Sequence, residues 1–98
     1  MTQQYLLGEV LLILADLQAA ASAPKAADDV EALRHTAENV PLGALPVIVE
    51  RAEWLVDAWC WDSLARGDVD AFDRQAAAGA ELFEFGVCSG LIVERDID

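Results

Sequence analysis

Two pairs of glutamates are the residues of this sequence most able to carry chemistry. Glu50 and Glu53 stand at positions i and i+3, and so do Glu81 and Glu84. Side chains at this spacing share a face of an α-helix, so each pair presents its two carboxylates together. If two such helices pack side by side, the carboxylates can surround a hard cation such as Mg²⁺. One hypothesis is therefore a divalent-metal site made of Glu50, Glu53, Glu81 and Glu84.

This pattern resembles, over those four positions, the all-α nucleotide pyrophosphohydrolases of the MazG type, which carry Glu-x-x-Glu and then Glu-x-x-Asp on two helices. The resemblance implies a Mg²⁺-dependent enzyme that hydrolyses nucleotides. The sequence departs from the family at Glu84, where the family has Asp, and it lacks the additional neighbouring Glu and a basic cluster for phosphates. The acids also fall opposite the main apolar positions of their helices, as in an ordinary solvated face. The enzyme is therefore the alternative hypothesis.

Other catalytic arrangements have little support. His35 is the single histidine, and the helical pattern places it on a polar face without the neighbours that a metal or a base requires. The triplet Asp62-Ser63-Leu64 is similar to the one on which acyl carrier proteins carry phosphopantetheine. In that family the serine opens a helix, whereas Ser63 is expected in a last helical turn. No phosphate-binding glycine loop, dinucleotide motif or nucleophile elbow is present. The sequence favours a protein without catalysis.

The charge of the chain restricts its partners. There are 18 Asp and Glu against 6 Lys and Arg, which gives a formal net charge of −12. This charge repels phosphate backbones and anionic membranes, so we expect neither nucleic acid nor a membrane as partner. It attracts a basic protein surface, although the same charge also serves plain solubility.

The cysteines and the apolar first segment bear on the cellular compartment. Cys60 and Cys88 are too few and too far apart for a zinc site or a redox CxxC motif, and we expect both as packed, reduced thiols. No basic residue precedes the apolar run between Glu9 and Asp16, as a secretory signal would require. These features predict a cytoplasmic protein.

Proline, glycine and capping residues divide the chain into helices and no strand. Pro24 and Pro46 fit a first helical turn, and Gly67 followed by Asp68 fits the end of one helix and the cap of the next. The predicted helices cover residues 3–21, 24–39, 46–66 and 69–91. We predict an all-α, single-domain, four-helix antiparallel bundle. The predicted core face of the fourth helix consists of Val69, Phe72, Ala76, Gly79, Ala80, Phe83 and Val87.

The first and third helices carry more apolar surface than a small bundle can cover. The first is apolar nearly all round, and Gly8 within it suggests a close helix contact. The third has a core face and a second apolar face with two tryptophans seven residues apart. Tryptophan is enriched at interface cores, so we predict a homodimer and a basic protein partner anchored on these tryptophans. Coverage by loops or termini is the alternative. The predicted interface residues are Leu7, Leu14, Trp54, Ala58 and Trp61.

The predicted function is that of a small acidic interaction or regulatory module, such as an immunity protein, an antitoxin or an adaptor. The sequence does not choose among these three.

Overall fold

The computed structural model describes residues 3–91, which form four α-helices packed against one another. This arrangement confirms the predicted all-α class. The helix ends lie within two residues of the predicted positions. The helices are α1 (Gln3–Ala20), α2 (Pro24–Asn39), α3 (Leu45–Arg66) and α4 (Val69–Ser89), with one 3-10 turn at Leu42–Ala44 before α3.

The helix ends follow local signals in the sequence. Pro24 and Pro46 lie in the first turns of α2 and α3, where a missing N–H removes no helical hydrogen bond. α3 ends at Gly67, whose φ of 72° lies in the left-handed region that glycine adopts without strain. Asp68 then caps α4, because its Oδ1 accepts a hydrogen bond of 3.1 Å from the N–H of Ala71. The connection between α3 and α4 is therefore only two residues long.

Within the chain, α1 buries one face and leaves another open. Val10 and Leu14 are completely buried, whereas Tyr5 and Leu12 are 55% and 63% exposed. Gly8 is also exposed, and no atom lies within 4 Å of the place that a Cβ on it would occupy. Within the described part of the chain, no other helix makes the predicted close contact at Gly8, because Gly8 lies on the outer side of α1.

A polar network that is buried at Ser63 and Gln75 and exposed at Ser22 and Arg66 joins α3, α4 and the connection between α1 and α2. Ser63 and Gln75 are both completely buried, and the Ser63 hydroxyl donates a 2.7 Å hydrogen bond to Oε1 of Gln75. Nε2 of Gln75 donates in turn to Oγ of Ser22 at 3.3 Å, and Arg66 donates to the same oxygen at 3.1 Å. Ser63 is thus inaccessible and already bonded, so it does not suit the attachment of a prosthetic arm.

The predicted core face of α4 is wrong, since none of its residues is buried. Val69 is 62% exposed and Phe83 is 44% exposed, whereas Leu82 and the polar Gln75 are completely buried. The apolar residues of α4 cover a wide sector of the helix surface, and only one edge of that sector packs into the core. At this edge the buried side-chain amide of Gln75 is hydrogen-bonded to Ser63 and Ser22. The rest of the sector faces sideways, along α3.

The molecule is a thin slab, with Cα extents of 41 × 37 × 16 Å. Two packed helices have axes about 8–10 Å apart and backbone radii of about 2.3 Å, which together account for roughly 15 Å. The slab is therefore at most two helices thick, and every helix keeps an outward side. Among residues 3–91, the large hydrophobic residues left exposed are Tyr5, Leu12, Val47, Trp54, Trp61, Leu64, Val69 and Phe83.

Candidate interaction surfaces

The surface of α3 opposite the core is apolar and open. Trp54 and Trp61 are 69% and 74% exposed, while Val56 and Trp59, on the other side of the helix, are buried. We call this surface the outer stripe; it consists of Val47, Arg51, Trp54, Ala58, Trp61 and Ala65, all of them exposed. No loop or helix of residues 3–91 covers the tryptophans, so the alternative of internal coverage does not hold for the described part of the chain.

The two residues of α1 in the predicted interface are placed differently. Leu7 is half-buried, and Leu14 is completely buried in the core. They stand seven residues apart and therefore share one side of the helix, which turns toward the other helices. Leu14 is unavailable to a second chain, and the apolar residues that α1 exposes are Tyr5 and Leu12 instead.

An open groove runs between α3 and α4, and sequence reasoning did not anticipate it. Its volume is about 540 Å³. It forms because much of the predicted core face of α4 borders α3 at the surface of the molecule and is not packed into the core. The apolar side chains that shape this α3–α4 groove are Trp61, Leu64, Phe72, Ala76, Ala80 and Phe83.

The charged residues that line the α3–α4 groove, Glu53 and Asp57, are both acidic. Partial burial raises the pKa of Glu53 above its ordinary value of 4.5, and the nearby carboxylates of Asp57 and Glu50 raise it further. Burial and then Asp57 raise the pKa of the Cys60 thiol above 9.0, so this thiol stays protonated at neutral pH and is a poor nucleophile. As formed by residues 3–91, the groove offers an apolar surface with two acidic side chains, no neutralising Lys or Arg, and no activated nucleophile.

Replacing Glu53 should stabilise the fold at neutral pH. Because the pKa of Glu53 is raised in the native state, the native protein binds more protons than the unfolded chain just above pH 4.5, so stability falls as the pH rises through that region. We expect Glu53→Gln to raise the free energy of unfolding by about 0.2–0.5 kcal/mol at pH 7, the usual cost of an exposed like-charge pair one turn apart. The gain should vanish below pH 4.5.

Urea denaturation at both pH values measures this effect. Glu31→Gln, on the exposed side of α2, removes the same charge and serves as the control. An equal gain in both variants, or a gain from Glu53→Gln that persists below pH 4.5, would contradict the local explanation.

The structure does not bring the four glutamates of the metal-site hypothesis together. Glu53 lines the α3–α4 groove, while Glu50 lies beside Trp54 at the outer stripe. Glu81 and Glu84 line a separate depression, between α4 and α1. Within residues 3–91 no group of three or more His, Cys, Asp or Glu side chains is arranged to hold a metal ion. The described residues therefore do not support the alternative hypothesis of a metal site at Glu50, Glu53, Glu81 and Glu84, because the rotation of α4 turns its acids toward α1.

Comparison with protein-family models, with curated proteins and with solved structures gives no match. Among the described residues, none of the helices combines the length and the apolar character needed to cross a membrane. The exposed surfaces are consequently the basis for a functional inference, and the outer stripe and the α3–α4 groove are the most apolar of them.

Proposed function

We propose that this protein is a non-catalytic interaction module that acts as a homodimer, paired through the outer stripe of α3. The observation that carries the proposal is the exposure of Trp54 and Trp61, 69% and 74%, on the side of α3 opposite the core. Single exposed hydrophobic residues are common on protein surfaces, but a contiguous apolar patch marks an interaction site. Tryptophan is also among the residues that contribute most to binding energy at interfaces. A regulatory, immunity, antitoxin or adaptor role fits such a module.

The two tryptophans of the outer stripe supply roughly half of the area that a stable dimer buries. A tryptophan buries about 150–250 Å² at a contact, so Trp54 and Trp61 supply roughly 300–500 Å² from each protomer. Typical stable interfaces bury about 800 Å² per partner. Val47, which is 57% exposed, and the half-buried Leu55 beside it extend the apolar area toward that value.

The outer stripe is complementary to itself. Its large residues and its smaller or cationic residues alternate along the helix, each set at intervals of seven, as in the seam of a coiled coil. The large set is Val47, Trp54 and Trp61, and the other set is Arg51, Ala58 and Ala65. A stripe with this alternation packs against a second copy when each large side chain meets a small one.

Antiparallel pairing of two α3 helices about a two-fold axis near residue 56 produces that match. Trp54 then lies opposite the partner's Ala58, and Val47 lies opposite the partner's Ala65. Trp61 lies opposite the partner's Arg51, where a guanidinium over the indole adds a cation–π contact. A two-fold axis repeats each contact, which is the usual symmetry of a homodimer.

The topology and the compartment belong to the same proposal. The connections between α1 and α2 and between α3 and α4 span residues 21–23 and 67–68. Connections this short between packed helices support an antiparallel bundle. Cys60 and Cys88 are free thiols, which supports a reducing compartment such as the cytoplasm.

Sedimentation equilibrium tests the dimer. We expect the wild type to sediment with twice the chain mass of 10.6 kDa. Trp54→Ala should weaken self-association by about 30-fold or more, because truncating a central interface residue costs about 2 kcal/mol or more. Val69→Ala is the control, since Val69 is 62% exposed but lies outside the outer stripe. A monomeric wild type at 100 µM, or an unchanged mass in Trp54→Ala, would reject the proposal.

A further inference from the structure

The α3–α4 groove adjoins the outer stripe at Trp61, which belongs to both, and its other α3 residues lie outside the stripe. We propose that it binds an amphipathic α-helix of another protein that carries Lys or Arg along one flank. This inference goes beyond self-association, because Phe72, Ala80 and Phe83, which shape the groove, lie on α4 and outside the outer stripe.

The shape of the groove suits a helix. It lies between two helices of 22 and 21 residues. Phe72 and Phe83 mark its ends on α4, and eleven residues of helix span about 16 Å, or three turns. A docked helix with apolar residues at i, i+4, i+7 and i+11 presents a stripe of the same length, as in other helix-in-groove complexes.

The floor of the groove is formed by small residues of α4 packed directly against α3. Gly79 brings α4 so close to α3 that a Cβ at this position would lie 2.8 Å from Cγ1 of Val56. The neighbouring Ala76 and Ala80 also have small side chains. Because Ala76 and Ala80 are small, a partner helix can approach this part of α4 closely, while Phe72, Phe83 and Trp61 form the walls.

The negative charge of the groove favours a partner helix with Lys or Arg beside its apolar stripe. Glu53 and Asp57 stand one helical turn apart at its α3 side, and among residues 3–91 no Lys or Arg lines the groove. A cation from the partner would lie near both carboxylates and reduce their mutual repulsion. Complementary charge of this kind chiefly determines which partner binds and how fast it arrives.

Two synthetic helical peptides with the same apolar stripe test the proposal, one flanked by lysines and one by glutamates. Fluorescence anisotropy should show that the wild type binds the lysine peptide at least tenfold more tightly than the glutamate peptide. Glu53→Gln with Asp57→Asn should remove most of that preference. Glu81→Gln with Glu84→Gln removes the same charge outside the groove and should leave the preference unchanged.

Groove variants locate the binding site. Phe83→Ala and Ala80→Phe, which open a wall and fill the floor respectively, should each weaken binding of the lysine peptide at least tenfold. Val69→Ala and Trp54→Ala should not change it. Circular dichroism verifies that each variant is folded.

Several outcomes would overturn the proposal. Equal losses of preference in the two double variants would show attraction to overall charge only. Unchanged binding by both groove variants would place the peptide elsewhere, and a loss in Trp54→Ala would place it on the outer stripe. A lower sedimenting mass in Ala80→Phe would show that a second copy fills the groove.

A monomeric wild type that still binds the lysine peptide through Phe83 would reject the dimer and leave this inference standing.

Discussion

Leu82→Ala is expected to lower the free energy of unfolding by about 2–5 kcal/mol, because truncating a completely buried leucine leaves a cavity in the core. Phe83→Ala, one residue further along α4, should cost only about 1 kcal/mol. Phe83 is 44% exposed, and even a fully buried phenylalanine contributes about 1.5–3 kcal/mol. Urea denaturation of both variants measures the difference.

The comparison of these neighbours tests the orientation of α4. The sequence pattern predicts the opposite order, with Phe83 in the core. A larger loss in Phe83→Ala than in Leu82→Ala would show that the predicted core face is buried after all, and that the α3–α4 groove is closed in solution.

Gln75→Met is expected to lower the free energy of unfolding by about 1–3 kcal/mol. Methionine has a similar length, but it removes the Oε1 atom to which the Ser63 hydroxyl donates at 2.7 Å. Ser63 is completely buried, so its hydroxyl would be left without its protein acceptor, and an unsatisfied buried polar group costs about this much. Thermal and urea unfolding should both report the loss.

A double-mutant cycle separates the hydrogen bond from the packing. In Ser63→Ala with Gln75→Met both polar partners are gone. Replacing both by apolar groups costs much less free energy of unfolding than removing one and leaving the other unsatisfied. We therefore expect the double variant to be more stable than the sum of the single losses predicts. Strictly additive losses would show that the pair contributes through volume alone.

The helix boundaries were predictable because short-range chemistry sets them. Pro24 begins α2, Gly67 ends α3, and Asp68 caps α4 through its hydrogen bond to Ala71. Each signal acts over a few residues and is visible in the sequence. The class of the fold followed from these boundaries together with the apolar spacing.

The direction in which each helix faces was less predictable, because it depends on contacts between helices. In α4 the close approach of Gly79 to Val56 and the bonding of Gln75 to Ser63 turn the helix, so that Leu82 is buried and Phe83 is not. A polar Gln75 in the core contradicts any simple apolar pattern. The same rotation directs Glu81 and Glu84 toward α1 and leaves the predicted metal site without its ligands.

The two candidate surfaces also differ in how far the sequence predicts them. The exposure of Trp54 and Trp61 was foreseen, since α3 has a complete second face that no helix of so small a chain could cover. The α3–α4 groove was not foreseen, although one signal existed. Viewed down its axis, α4 carries apolar residues over the whole sector between the directions of Ala71 and Val69. This sector is wider than a single packing contact needs.

Pairing of α3 with a second copy of itself is the central claim, and chemical cross-linking tests it most directly. In a background of Cys60→Ala and Cys88→Ala, a cysteine is introduced by Ala58→Cys or by Ala65→Cys, both exposed on the outer stripe. Pairing about residue 56 places the two copies of residue 58 about 6 Å apart along the helix axis and the two copies of residue 65 about 27 Å apart. A short bifunctional maleimide should therefore give covalent dimers of Ala58→Cys and leave Ala65→Cys monomeric. Cross-linking of both variants would show a parallel pair, and cross-linking of neither would show that the outer stripe does not meet itself.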